Sequence, residues 1–488
     1  MLGLLYTGLF LVLLARAITI YRSRRINTEF IITIGIMMYY AVPGIRHNIP
    51  GFTGMYALRY GISETSTIEG FLLVTIFVLT YYVFYHAKVI SLKKTALYIP
   101  NEKRAVKRLG RNILIFAMVF FFLYCSLYGG VRAVFQSIDA IRGGEIISSN
   151  AKFEFIGKLY NIVIYAPVLV FAYWKKSPNM RLLILISLVF TLLVQISKGG
   201  RGSLLLFFLV FIVAKINTVH SSTKRTKQFI VIGIIGFLFI VVYRPFISST
   251  GLIAEYGLVY AVENFMKNLM GGGRYSISTP AVAINSLLDS FDHYYVSMET
   301  AVRSVKTGMH HHTFFMELFA TILAPVPSLL LGIEKPLTNT VYNSFYIAGR
   351  EGIAQIPAGI IGSGYYSGGF LWVILYGIIV ALAGKVIDNF YKRIKNNVTF
   401  SNEYYVIIMI VYFGFALSGD FPDNFKKEFI NFPLYYIIWR KMKKVNLSEK
   451  SGYDYKQENT YKYEKNCTFT PPGNDLWRSG KKIGQNSK

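Results

Sequence analysis

Cysteine is almost absent: of 488 residues only Cys125 and Cys467 are cysteine. The first lies inside an apolar run and the second in a polar tail, so neither a disulfide framework nor a thiolate metal site can be drawn. Acidic residues are scarce too, 25 against 52 Lys and Arg, leaving a formal net charge of +27. In a soluble domain that excess would point to nucleic acid. Here the cations cluster at the ends of apolar runs, where the positive-inside rule and anionic lipids account for them, so nucleic acid is not expected as a partner. There is no P-loop, dinucleotide fingerprint, HExxH or GxSxG motif, and no repeat of fixed period. No cofactor and no metal are expected.

What is abundant is apolar surface. Hydrophobic residues make up 53% of the chain and aromatics 16%, with a mean hydropathy of +0.42, which predicts an all-α polytopic membrane protein. A helix needs about 20 residues to cross the hydrocarbon core. On that ruler spans are expected near 2–20, 29–44, 68–90, 112–129, 157–174, 181–198, 202–217, 228–243, 368–387, 403–418 and 429–441, about eleven in all within a range of about 10–13. Basic clusters at 22–25, 93–111, 175–181, 224–227, 391–395 and 440–444 alternate with poorly basic loops. This pattern puts the amino end outside and the carboxyl end inside. The first apolar stretch has no basic residue before it and is read as a retained span.

The membrane domain is expected over 1–445, with one long outer loop at 244–366 and a disordered cytoplasmic tail at 446–488. The loop carries seven basic residues, eight acidic residues and four histidines, so its charges do not serve to orient the chain. Thr279 followed by Pro280 marks a helix start inside it. The apolar run 313–333 would reverse every later basic loop if it crossed, so it is read as re-entrant or as a helix pair broken at Pro325 and Pro327.

Several outer stretches carry candidate chemistry. "QISKGGRGSLLLFF" places Lys198 and Arg201 among glycines in a tight outer hairpin, where positive-inside bias disfavours cations. Its glycines allow close backbone approach to an anion such as phosphate. The bland alternative is a turn whose cations snorkel to headgroups. Arg274, after three glycines, and Arg350, beside Glu351, are guanidinium candidates of the same kind. Arg132 and Arg142 are two more, each weaker. His310, His311 and His312 offer a general base, and Glu317 follows them. Tyr365 and Tyr366 suit stacking on a sugar face. Asp420 and Asp423 offer a carboxylate that orients a hydroxyl or takes its proton, against the plainer reading of a solvated turn.

With these residues in view, the chain resembles the bacterial O-antigen or capsular oligosaccharide repeat-unit polymerases, the Wzy-type family. "SKGGRGSLL" is similar to the Arg-Gly signature that opens a span in that family and in the O-antigen ligases, and "IIGSGYYSGGFLWVILYGIIVALAG" to its Gly-rich entry into a late span. Arg132 to Gly143 matches an Arg-x10-Gly pattern of some members, with no second copy in the long loop. The resemblance implies a C-type glycosyltransferase-like fold in the bacterial cytoplasmic (inner) membrane. It implies a metal-independent glycosyltransferase that joins undecaprenyl-pyrophosphate-linked oligosaccharides at the outer face for lipopolysaccharide or capsule. It also implies a chain-length regulator and a flippase of the same pathway as partners. Arg201 is the position it supports most firmly for pyrophosphate binding, ahead of Arg274 and Arg350. An O-antigen ligase, or a flippase or exporter of the same lipid-linked sugar, remains open at this point.

Overall fold

The structure is a computed structural model that describes residues 1–23, 26–61, 65–88, 95–136, 156, 159–175, 177–197, 201–218, 227–228, 231, 256–269, 288–289, 291–326, 332, 334–349 and 356–444. Met1–Lys443 form one compact unit. The helix start at Thr279, Arg142 and the 446–488 tail lie outside the described residues, as does most of the 228–243 run.

The described residues are those of a helical membrane protein. Helices follow in the order α1 (Leu2–Ser23), α2 (Thr28–Ile36), α3 (Val42–Arg46), α4 (Met55–Tyr60), α5 (Ile68–His86), α6 (Glu102–Leu127), α7 (Val131–Gln136), α8 (Tyr165–Phe171) and α9 (Arg181–Ser197). After them come α10 (Arg201–Thr218), α11 (Leu258–Leu269), α12 (Asp292–Lys306), α13 (Met316–Leu323), α14 (Asn339–Ala348), α15 (Gly359–Ile394), α16 (Ser401–Ser418), α17 (Phe421–Glu428) and α18 (Phe432–Lys441). Among the described residues β-structure is limited to the two-residue strands Leu97–Tyr98 and Lys443–Lys444.

Seven helical stretches are long and apolar enough to cross a membrane: Leu2–Arg22, Thr28–Arg46, Ile68–His86, Glu102–Leu127, Pro178–Ser197, Gly359–Ile394 and Ser401–Ser418. The expected 157–174 and 202–217 spans correspond in part to the shorter apolar helices Tyr160–Phe171 and Phe207–Thr218. The 429–441 run contains α18, only ten residues long. It is reached through α17 and a 3-10 turn at Phe429–Asn431, so helical backbone extends back to Phe421. The 313–333 run holds the eight-residue α13, too short to cross, in keeping with the expectation that it does not. Apolar side chains face outward along these helices, Leu11 and Val12 on α1, Leu79 and Val83 on α5, and Val119 and Phe122 on α6.

Helix ends gather at two poles. At one, Arg46 forks onto Asp292 with two bonds of 3.0 Å and reaches Asp289 at 2.8 Å. Nearby, the Thr67 hydroxyl caps α5 by accepting from the Gly70 amide and donates to Glu299. At the other, Asn217 at the end of α10 bonds the Ile26 backbone, Arg393 reaches the Thr95 carbonyl at 3.0 Å, and Glu102 accepts from the Thr399 amide at 2.7 Å. These are called below the Asp420 pole and the Arg104 pole. The α2 to α3 passage runs through a π turn at Met37–Ala41 ahead of Pro43, a wide turn that absorbs the donor proline lacks.

Helix α15 is not one straight rod. Gly369 has φ +66° and ψ −148°, a region that L side chains rarely enter. A Cβ placed on Gly364 would sit 3.1 Å from the Val373 Cα, whereas nine residues along a straight helix span about 13.5 Å. The segment before the break therefore folds back on the segment after it. The later part packs along α5 and α16, where Gly377 and Gly384 let Thr80 and Tyr412 come close. The glycines of this stretch thus make close helix contacts.

Candidate functional site

The break in α15 frees backbone carbonyls that helix geometry would otherwise satisfy. The histidine segment takes two of them: Thr313 N donates to the Tyr366 carbonyl at 3.1 Å and Phe314 N to the Ser367 carbonyl at 2.7 Å. His312 Nδ1 lies 3.4 Å from the same Tyr366 oxygen. Asn339, the first residue of α14, then ties three elements together. Its side-chain amide donates to the Ser363 carbonyl and to the Ser363 and Ser367 hydroxyls at 3.0–3.1 Å, and its oxygen accepts from Thr313. Its backbone amide donates to Glu317 at 2.8 Å.

Glu317 is buried, and its second carboxyl oxygen has no hydrogen-bond partner. Burial lifts its pKa to about 8, against the Asn339 bond, and the nearby Asp420 carboxylate raises it further. The sign of the consequence is fixed. The unfolded chain releases this proton near pH 4.5 and the folded protein only near 8, so stability falls as pH rises through that window. The loss is up to about 5 kcal/mol. Glu317→Gln keeps the Asn339 bond and removes the charge. Its melting temperature in detergent should stay flat over this window while that of the wild type falls. Parallel profiles would contradict the assignment.

Asp420 follows the left-handed Gly419 and caps α17 by accepting from the Asp423 amide at 3.1 Å. The sequence reading of a turn is thus met in part: Asn424 donates to Ser418 Oγ at 2.6 Å and to the Asp420 carbonyl at 2.8 Å. Yet Asp420 is only 8% exposed. Burial first, and the Asp423 carboxylate second, raise its pKa. It lines a cavity of about 270 Å³ together with Tyr39, Tyr294, Asp423, Asn424 and Lys427. Lys427 pairs with Asp423 one turn along α17.

Phe413 lines this cavity and also a separate apolar cleft of about 220 Å³. The cleft lies between α2, α10 and α16, and its ten lining residues, among them Phe30, Ile34, Leu209 and Met409, are all apolar. Polar chamber and greasy cleft therefore meet on one side chain. α10 packs along α16, and since it ends at the Arg104 pole it begins, with Arg201, at the Asp420 pole.

The remaining candidates fall out as follows. His310 is buried in a box of Tyr342, Tyr346 and Tyr366, with ring centroids 4.7–5.8 Å away. Burial lowers its pKa to about 4, so it is neutral at physiological pH. His311 is exposed, and His312 borders the α15 break beside Gly369. Tyr365 is buried, its hydroxyl donating to Glu69, which also pairs with Lys306. Arg132 lies on α7, beyond the end of α6 that points to the Asp420 pole. Lys198, Arg274 and Arg350 lie outside the described residues, and of Arg201 only the backbone is described.

The structure brings Glu317, Asp420 and the His312–Phe314 segment to one pole. Tyr39, Tyr294 and Phe413 were not singled out from sequence. Asn424 and Lys427 stood inside the quoted "SGDFPDNFKKEF" and had a signal, their one-turn spacing from Asp420 and Asp423. No family model, curated protein or solved structure matches the chain.

Proposed function

We propose that the protein is a metal-independent membrane glycosyltransferase that joins lipid-linked oligosaccharide repeat units, the substrate being carried on undecaprenyl pyrophosphate. The observation that carries this reading is the meeting, at Phe413, of an acid-lined chamber with an all-apolar cleft. An amphiphile with a sugar head and a hydrocarbon tail suits that pair of surfaces, and a soluble sugar has no use for the cleft. The resemblance of "SKGGRGSLL" to the repeat-unit polymerases supports the same conclusion.

In this proposal the donor's sugar head occupies the chamber against Tyr39 and Tyr294. Asp420 accepts the proton of an acceptor hydroxyl as that oxygen attacks the donor's anomeric carbon. The bond from that carbon to the diphosphate breaks, its electron pair leaves with undecaprenyl pyrophosphate, and the glycan grows at its reducing end. Arg201, with Lys198 and Arg274 or Arg350, neutralises the leaving diphosphate; fixed cations stabilise charge that develops in the transition state. His310, buried and neutral, serves better as part of the scaffold than as the base. Bacterial cytoplasmic-membrane location, with this pole outward, belongs to the same proposal, as do the chain-length regulator and flippase partners.

A flippase would need ionisable groups along a path joining the poles. Among the described residues, the buried membrane carboxylates Glu29 and Asp388 lie toward the Arg104 pole. Glu29 is held by Arg16 and His86, and Asp388 by Thr28, Tyr85 and Tyr405. Complementation of a polymerase-null strain separates the classes by glycan length on a gel. Wild type should restore long chains, and Arg201→Ala should leave a single repeat on the core. Complete absence of capped core would indicate a ligase or flippase, and long chains from Arg201→Ala would remove that residue from the site.

A further inference from the structure

A second cavity, of about 500 Å³, opens at the Arg104 pole between α6 and α18. One wall carries Arg104, Arg108 and Asn112, spaced four apart on one face of α6; the other carries Ile437 and Lys441, four apart on α18. No acidic residue lines it. Glu102 is the one acid in the 93–111 stretch, and its carboxylate is turned onto the amide and hydroxyl of Thr399. Among the described residues Arg104, Arg108 and Lys441 make no ion pair.

The cavity also has a defined depth. From Ile113 onward α6 is almost continuously apolar, so Asn112 marks the hydrocarbon boundary and the two arginines stand one and two turns above it. Leu109 and Ile437 supply apolar surface at the lower edge. A basic loop needs only net charge to orient a span. It does not need three cations facing one another across a concave space between two helices.

We infer that this cavity binds the phosphate headgroup of an anionic membrane lipid, with Arg104, Arg108 and Lys441 around the phosphate, Asn101 and Asn112 bonding the polar headgroup, and Leu109 and Ile437 against the upper acyl chain. Two guanidiniums and an ammonium suit a phosphodiester, and the volume suits one headgroup. The site lies at the opposite pole from Asp420 and is independent of the glycosyl-transfer proposal.

The test uses the full chain in detergent, with phosphatidylglycerol, phosphatidylcholine or inorganic phosphate added. Retained lipid is read by native mass spectrometry and stability by thermal denaturation. Wild type should retain phosphatidylglycerol and gain stability from it, and phosphatidylcholine should do neither. The triple variant Arg104→Gln, Arg108→Gln, Lys441→Gln should bind phosphatidylglycerol roughly 100-fold more weakly, each surface cation being worth about fivefold. The equal-charge control Lys103→Gln, Lys107→Gln, Arg111→Gln, on α6 positions that do not line the cavity, should keep binding within a few-fold. Equal loss in both triples would reduce the effect to diffuse charge and overturn the site. Undiminished binding in the cavity triple would overturn it as well. Full stabilisation by inorganic phosphate alone would overturn the lipid assignment.

Discussion

Asp420→Asn should lower glycan transfer by about 10²–10⁴-fold, the range over which a positioned general base contributes, with the protein still folded in the membrane. The choice of asparagine isolates the charge. Asn caps helices as well as Asp does, so the bond from the Asp423 amide at 3.1 Å survives and only the proton acceptor is lost. Asp420→Ala removes cap and carboxylate together, and should cost about 1 kcal/mol of stability besides the activity. Chain length in cells and thermal denaturation of the purified variants check the two halves. If Asp420→Asn matched wild type in chain length while Asp420→Ala did not, Asp420 would be a helix cap and nothing more.

Gly419→Ala should be the most damaging single methyl group in the structure around the site. Gly419 has φ +62°, and a Cβ there would lie 2.4 Å from the Gly359 carbonyl oxygen and 2.5 Å from its carbon. Both atoms are backbone, at the fold-back that begins α15, so no side chain can rotate out of the way. Left-handed strain of about 1–2 kcal/mol and overpacking of about 1–3 kcal/mol together predict about 2–5 kcal/mol. Because Asp420 is the next residue, transfer should fall with stability. Thermal denaturation in detergent measures the first and product length the second. A midpoint within a degree of wild type would show that the Gly359 and Gly419 backbones do not meet as described.

Much of this architecture was legible in the sequence because membrane spans announce themselves by length and apolarity. Helices α1, α5, α9 and α16 fall where the apolar runs put them. The short 313–333 helix was expected from charge alone, since a crossing would have reversed the later basic loops. Less legible were contacts between distant segments. Gly368 and Gly369 signal a permissive backbone, but nothing in their spacing says that the preceding turn folds back or that Thr313 and Phe314 fill the freed carbonyls. Glu317 looked like an acid near histidines; its burial follows from the packing of α13 on α17, two elements about a hundred residues apart. Asp420 looked like part of a solvated turn, because a capping aspartate has the same local pattern whether its helix is exposed or buried.

The arginine cluster read from glycine-flanked motifs rests on Arg201, at the start of α10, while the acid chamber rests on α16 and α17. The Asp420 pole, to which α10 and α16 both lead, is where the two readings converge. The aromatic rims Tyr39 and Tyr294 had no sequence signal of their own, being two among 36 tyrosines.

The central claim, that the Asp420 chamber and its apolar cleft transfer lipid-linked sugar, is tested most directly by reconstituting the purified protein in vesicles with an undecaprenyl-pyrophosphate-linked repeat unit and resolving products by length. Wild type should give a ladder of joined repeats with release of undecaprenyl pyrophosphate, and Asp420→Asn only the unextended repeat. A ladder of equal length from Asp420→Asn would contradict the account.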